Sequence, residues 1–176
     1  ILRAFDKRFA EGLIADGVEW ASKNDFDYAC IQFRAAMQID PENANAYYCY
    51  GRACKDAYEL GEEEEFVGRF KAEALEAFEI ATIKNPQLAE AYYFLGYAYV
   101  NMGLYIKAKL TWEEYLKLTE ERTEAGMEDL RKEIRGRLTQ LAEPVKIEEA
   151  YNLVLSGKYE EGIAALSPYC ESEYAS

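Results

Sequence analysis

The chain has 33 acidic residues, four cysteines, fifteen tyrosines and no histidine. Without an imidazole there is no Ser–His or Cys–His nucleophile pair and no histidine metal ligand. Cys30, Cys49, Cys54 and Cys170 form no CxxC pair. They are expected to be small buried thiols on helical stripes, and no metal site is expected. Neither GxxxxGKS/T nor GxGxxG occurs, so no phosphate-cradling loop is present. Carboxylates are so numerous that no pair stands out as acid and base. What remains is recognition chemistry. Tyr48, Tyr93 and Tyr97 offer amphipathic rings, and Arg52 and Lys55 offer cations in a protein of net charge −13. Tyrosine and arginine are among the residue types that most often carry binding energy. The chain reads as a binding protein with no catalytic residue, no cofactor and no metal.

These side chains must be held by helices, and spacing says which. Over residues 85–118, Tyr92, Leu95, Gly96 and Tyr99 recur at i, i+3, i+4 and i+7, one face of a helix. After Gly103, the residues Ala108, Trp112 and Tyr115 continue the same kind of stripe on a second helix. Gly96 and Ala108 let the two helices approach closely enough for the rings to interdigitate. Such a hairpin cannot bury its own apolar face, so it needs copies stacked on either side.

The copies are present. Gly17 to Gly51 is 34 residues and Gly51 to Gly96 is 45. Phe33, Phe78 and Trp112 step by 45 and then 34, as do Ala29, Ala74 and Ala108. A 34-residue repeat is therefore interrupted once by 11 residues, and the order of long and short steps puts the insertion between Gly51 and Ala74. Eleven residues make close to three helical turns, so both arms of that hairpin can lengthen without rotating their faces by much. Ala57, Tyr58, Phe66 and Phe70 are expected to pack in its tip. Glu62 to Glu65 lie at the start of its second helix, where the dipole favours negative charge.

In the positions of Leu13, Gly17, Trp20, Ala29, Phe33, Ala36 and Pro41, then Tyr47, Tyr50, Gly51, Ala74, Phe78, Ala81 and Pro86, then Tyr92, Leu95, Gly96, Tyr99, Ala108 and Trp112, the chain resembles the tetratricopeptide repeat (TPR) family. The resemblance covers roughly residues 10 to 120. It departs at Asp16, where the other copies have Tyr50 and Leu95, and at Glu120, which replaces the closing proline. It implies an all-α, TPR-like solenoid of antiparallel helix hairpins with a right-handed superhelix. The expected domains are three repeats over 1–120, at about 10–43, 44–88 and 89–120, followed by 121–176. That last part reads as a helix of about 20 residues over 123–142, ended by Pro144, and a fourth hairpin. Gly157, Tyr159, Gly162 and Leu166 echo Gly103, Tyr105, Ala108 and Trp112 at an offset of 54. The chain begins at Ile1 and is read as part of a longer one that continues past Ser176.

Stacked hairpins curve, and their first helices line the concave face. One residue off the packing stripe, that face is expected to carry Ile14 and Val18, then Tyr48, Arg52 and Lys55, then Tyr93, Tyr97 and Asn101. TPR members that hold chaperone tails use a Lys/Asn clamp. Ile14, Val18, Tyr93 and Tyr97 stand at those places here, so that function is not carried over. A partner peptide or protein segment with aromatic or aliphatic side chains fits better. The charge opposes nucleic acid and acidic membrane surfaces. The thiols suggest a reducing, cytoplasmic setting. Three alternatives stand beside this reading: residues 123–142 fill the groove, the chain is a self-associating homo-oligomeric scaffold, or it is an acidic TPR secretion chaperone.

Overall fold

The structure, a computed structural model, describes the backbone of residues 2–61 and 64–173 and the side chains of residues 7–61 and 64–169. Among the described residues every regular element is an α-helix. In chain order these are α1 (Leu2–Ser22), α2 (Phe26–Ile39), α3 (Ala44–Leu60), α4 (Glu64–Lys84), α5 (Ala89–Asn101), α6 (Tyr105–Leu118), α7 (Met127–Gln140), α8 (Ala142–Leu155) and α9 (Tyr159–Glu173). None of these helices is long and apolar enough to cross a membrane. Two compact units divide the chain, Ile1–Ala98 and Tyr99–Ser176. They follow packing density, whereas the repeats follow sequence phase, so the two divisions need not coincide.

The hairpins of the first unit are set by a glycine facing a phenylalanine. A Cβ built on Gly17 would lie 2.6 Å from the Phe33 ring, and one on Gly51 would lie 2.8 Å from the Phe78 ring. Both rings are about 1% exposed, so neither has room to move aside. Only a residue without a side chain lets α1 meet α2, and α3 meet α4, at this separation. The turns repeat as well. Asp25, Leu104 and Lys158 each donate a backbone N–H to the carbonyl five residues back, of Trp20, Tyr99 and Leu153. The residue before each has a positive φ: Asn24 at 60°, Gly103 at 71° and Gly157 at 86°. This is a left-handed helix ending, which glycine and asparagine adopt at least cost. Asp25 then caps α2 by accepting from the Tyr28 N–H, and Asn43 caps α3.

The insertion is shared between both arms of the second hairpin. α3 has 17 residues against 13 in α5, and α4 has 21 against 14 in α6, which accounts for all eleven. Phe66 and Phe70 pack at 4.5 Å between ring centres on α4, and Lys71 of α4 lies over the Tyr58 ring of α3, across the hairpin. Glu64 and Glu65 occupy the first turn of α4, while Glu62 and Glu63 lie outside the described residues. On α1 the large apolar Phe9 is 54% exposed. Ala10 is the residue that meets Ala36 and Ala46, with Leu13 and Ile14 against them. The side chains of Leu2 and Phe5 lie outside the described residues. A polar clamp joins the next three helices. Arg34 on α2 donates to the Tyr50 hydroxyl and to Glu73, both at 2.8 Å, and the Tyr50 hydroxyl donates to Glu73.

The second unit departs from expectation at α7 and α8. The helix expected over 123–142 is 14 residues long, and the chain breaks at Leu141. Pro144 does not end a helix. It is the third residue of α8, in the first turn, where a missing N–H removes no intrahelical bond. The stripe of α7 is also narrower than its sequence suggests: Met127 and Ile134 are buried, but Leu130 is exposed. Within its own unit α7 packs on α6 and α8. Arg131 is buried. Its guanidinium donates to the carbonyls of Thr119 and Arg122, and to Glu128 at 2.7 Å. It thus satisfies the end of α6 where Glu120 stands in place of the repeat's closing proline. Glu148 on α8 does the same for the start of α6, accepting the Ile106 N–H at 2.8 Å.

Two predictions follow from these contacts. In chemical unfolding, Gly51→Ala should lower stability by about 1–3 kcal/mol, because overpacking outweighs a helix-propensity gain of at most about 1 kcal/mol. Gly68→Ala, which meets nothing within 4 Å, should stabilise instead. Arg131→Met should cost about 1–3 kcal/mol by removing the guanidinium's bonds to the Thr119 and Arg122 carbonyls, the first of which keeps its bond from the Arg122 N–H. Arg131 and Arg135 also hold the Glu128 carboxyl below its ordinary 4.5. The stability this contributes is present above 4.5 and lost as pH falls through the lower folded value, so the variant should flatten that acid limb.

Candidate functional site

The helices α1, α3 and α5 open the three N-terminal hairpins, and their outward residues form the candidate site in the first unit. Its centre is Arg52. The guanidinium lies 4.7 Å from the centre of the Phe94 ring, and its Nη1 donates to the Tyr48 hydroxyl at 3.2 Å. The cation is thus held by a ring face and a hydroxyl, and Asp56, one turn on along α3, adds a coulombic attraction. Tyr48 packs at 6.1 Å from Phe94 and 6.4 Å from Phe78, and Phe78 and Phe94 stack at 5.7 Å. Tyr93 meets Phe94 edge-on at 5.0 Å, and Tyr97 follows Tyr93 at 5.3 Å. The result is a continuous ladder of rings from α4 through α3 to α5. Burial pushes the Tyr48 hydroxyl up, and the Arg52 bond opposes that rise, so the group stays a neutral phenol near pH 7.

Beside this ladder is a cavity of ≈ 390 Å³. Val18, Ala21 and Ser22 of α1 line one side, with Tyr48, Cys49, Arg52, Ala53 and Asp56 of α3 on the other and Phe33 of α2 between them. Its floor is the ring seated against Gly17, so the contact that spaces the hairpin also shapes the cavity.

The structure treats the sequence-predicted residues differently. Val18, Tyr48 and Arg52 meet at the cavity, and Tyr93 and Tyr97 extend the ladder. Ile14 is spent on packing in the Ala10, Ala36 and Ala46 cluster. Lys55 is engaged by Glu59 at 2.6 Å, with Asp56 at 3.8 Å. Asn101 is exposed at the end of α5, in the second unit. Sequence reasoning missed Phe94, Phe33 as a floor, Cys49 and Asp56. Phe94 occupies the phase held by Cys49 one repeat earlier, so no repeated aromatic marked it; the run Tyr92, Tyr93, Phe94 was the available signal. Among the described residues no group of three or more metal-ligating side chains converges. Cys30, Cys49 and Cys54 are free thiols, and Cys170 lies outside the described side chains.

Burial raises the Cys49 thiol above its ordinary 9.0, with Arg52 opposing. A raised thiol carries less thiolate at neutral pH, and only thiolate is nucleophilic. Cys49 should therefore alkylate with iodoacetamide more slowly at pH 7 than a free cysteine peptide and gain rate above pH 9, as read by mass spectrometry of the digested protein.

No protein-family model and no curated protein sequence matches the chain. Solved structures do match. The Sgt2 TPR domain from Aspergillus fumigatus is 18% identical, with a TM-score of 0.58 over 74% of this chain and 80% of that one. The first TPR of Spaghetti (RPAP3), bound to the HSP90 peptide SRMEEVD, is 20% identical, with a TM-score of 0.57 over 76% and 95%. PcrH in complex with the chaperone binding region of PopD is 14% identical, with a TM-score of 0.61 over 74% and 89%. At these identities the likeness is one of fold. The chain has the all-α tetratricopeptide-repeat fold of antiparallel helix hairpins.

Proposed function

We propose that this chain is a non-enzymatic interaction module that holds a segment of another protein on the α1–α3–α5 face of its first unit. The observation that carries the reading is Arg52, fixed between the Phe94 ring and the Tyr48 hydroxyl at the mouth of the ≈ 390 Å³ cavity. A cavity of that size accepts one large apolar side chain, worth roughly 1.5–3 kcal/mol when fully buried. Arg52 then donates to a backbone carbonyl of the same segment, and the Tyr93–Tyr97 steps receive its next residues. Val18 and Phe33 supply the apolar contact.

The fold supports the class of function. One structure of similar fold holds a peptide of HSP90, and another holds the chaperone binding region of PopD. The ligand chemistry differs from an acidic tail. With net charge −13, and with Ile14, Val18, Tyr93 and Tyr97 where the clamp residues of chaperone-tail binders stand, an anionic peptide is disfavoured. A neutral or basic segment with an aromatic or aliphatic anchor is favoured. Free, buried Cys30 and Cys54 suit a reducing, cytoplasmic setting.

Peptides selected on the protein from a random displayed library should share one large apolar residue. Arg52→Ala and Val18→Asp, both at exposed positions, should each weaken the selected peptides by about tenfold or more in calorimetry. Selected peptides that bind both variants as tightly as the wild type would remove the site.

A further inference from the structure

The contact between α2 and α3 holds two thiols that the cavity at Arg52 does not use. Two pairs set its register. Arg34 of α2 donates to the Tyr50 hydroxyl of α3 at 2.8 Å, and Ala36 of α2 shares one buried cluster with Ala46 of α3. Position falls along α3 as it rises along α2, so the two helices run antiparallel. One turn back from Arg34 is Cys30, and one turn on from Tyr50 is Cys54. The register therefore sets the two thiols opposite each other. A hydrogen bond between the Cys30 and Cys54 side chains agrees with it.

Ala36 and Ala46 are fully buried, and residues this small let α2 and α3 approach closely. A disulfide needs such an approach, since its two Cα atoms lie roughly 4.4–6.8 Å apart. Cys54 is 0% exposed and Cys30 6%, so a small oxidant meets Cys30 first. The electrostatics favour the same order. The bond with Cys54 holds the Cys30 thiol below its ordinary 9.0, with Arg34 helping and with burial, Glu73 and Asp27 opposing. That bond and burial push the Cys54 thiol up. Thiolate is the nucleophile, so Cys30 attacks the oxidant and Cys54 closes the bond.

We propose that Cys30 and Cys54 form a redox site, in which a peroxide oxidises the pair to a disulfide joining the first hairpin to the second and a thiol reductant restores it. The Cys30 sulfur attacks one oxygen of hydrogen peroxide and breaks the O–O bond, leaving a sulfenic acid and, with the Cys30 proton, one water. The Cys54 sulfur then attacks the Cys30 sulfur and forms the S–S bond. The expelled hydroxyl leaves with the Cys54 proton as a second water. Two electrons pass from the sulfurs to the peroxide. The link spans the junction between repeats, so it constrains the unfolded chain and fixes α3 against α2. The inference is independent of the proposed function and of any ligand at the Arg52 cavity.

A peptide map of the full chain tests it. Trypsin separates the thiols, because Cys30 falls in residues 24–34, Cys49 in 35–52 and Cys54 in 53–55. The folded protein is treated with hydrogen peroxide, and its remaining thiols are capped with N-ethylmaleimide. Mass spectrometry without reduction should find 24–34 joined to 53–55, two hydrogens lighter than their sum. This species should exceed any link to Cys49 or Cys170 by about tenfold or more. Dithiothreitol should return both peptides. In Cys54→Ala the link should vanish, and dimedone should trap Cys30 as its sulfenic acid. In Cys30→Ala the same reagent should label Cys54 about tenfold less. The wild-type map decides the matter without either variant. Both thiols recovered capped, under conditions that oxidise a free cysteine peptide, would overturn the proposal. So would links to Cys49 or Cys170 in equal yield, or a link formed only between chains.

Discussion

A phenylalanine ring seated where the neighbouring helix has no side chain is the contact on which the first unit depends. Gly17 opposite Phe33 and Gly51 opposite Phe78 set the separation within each hairpin. That separation sets how deep the rings lie and how much apolar surface leaves water. The two contacts are equivalent positions of one repeat, so a single steric requirement is met twice. It also shapes the cavity at Arg52, because Phe33 is both the ring against Gly17 and part of that cavity's lining. Hairpin spacing and the shape of the cavity thus share one side chain.

The candidate site draws its character from a cation kept in an acidic protein. Most basic side chains here lie beside carboxylates: Lys55 beside Glu59, Lys84 beside Glu42, Arg135 beside Glu128. Arg52 is held by a ring and a phenol instead, and these orient a guanidinium without neutralising it. Arg34 shows the contrasting case: it stacks on Tyr50 but also reaches Glu73, and it joins α2, α3 and α4. The same residue type on the same fold therefore does different work: Arg34 bonds Glu73 across helices, whereas Arg52 is placed by Phe94 and Tyr48 with Asp56 nearby.

Helix ends explain the second unit. Where the repeat would close α6 with a proline, the chain has Glu120, and the carbonyls of Thr119 and Arg122 are taken by the buried Arg131 of α7. Where α6 begins, its free Ile106 N–H is taken by Glu148 of α8. Two side chains from later helices thus supply what local capping supplies elsewhere, and they attach α7 and α8 to α6 through polar bonds as well as packing.

The sequence by itself determined the helix hairpins, their 34-residue phase, the site and size of the insertion, the turn positions and the binding class of the chemistry. Each of these rests on periodicity or on a residue whose backbone or steric demand is local: a glycine under a ring, an asparagine or glycine at positive φ, eleven residues dividing between two arms. Only tertiary structure decided which outward residues remain available. Ile14 and Lys55 had the right phase, but a neighbouring alanine cluster and a glutamate one turn away claim them. Phe94 matched no aromatic in the earlier repeats, yet it became the plate under Arg52 because residues 42 apart in the chain are neighbours across stacked helices. The break at Leu141, the early-turn place of Pro144 and the burial of Arg131 were equally hidden, since each depends on which helix lies against which. A pattern along one helix records its own period, but it does not record the side chains that other helices bring to it.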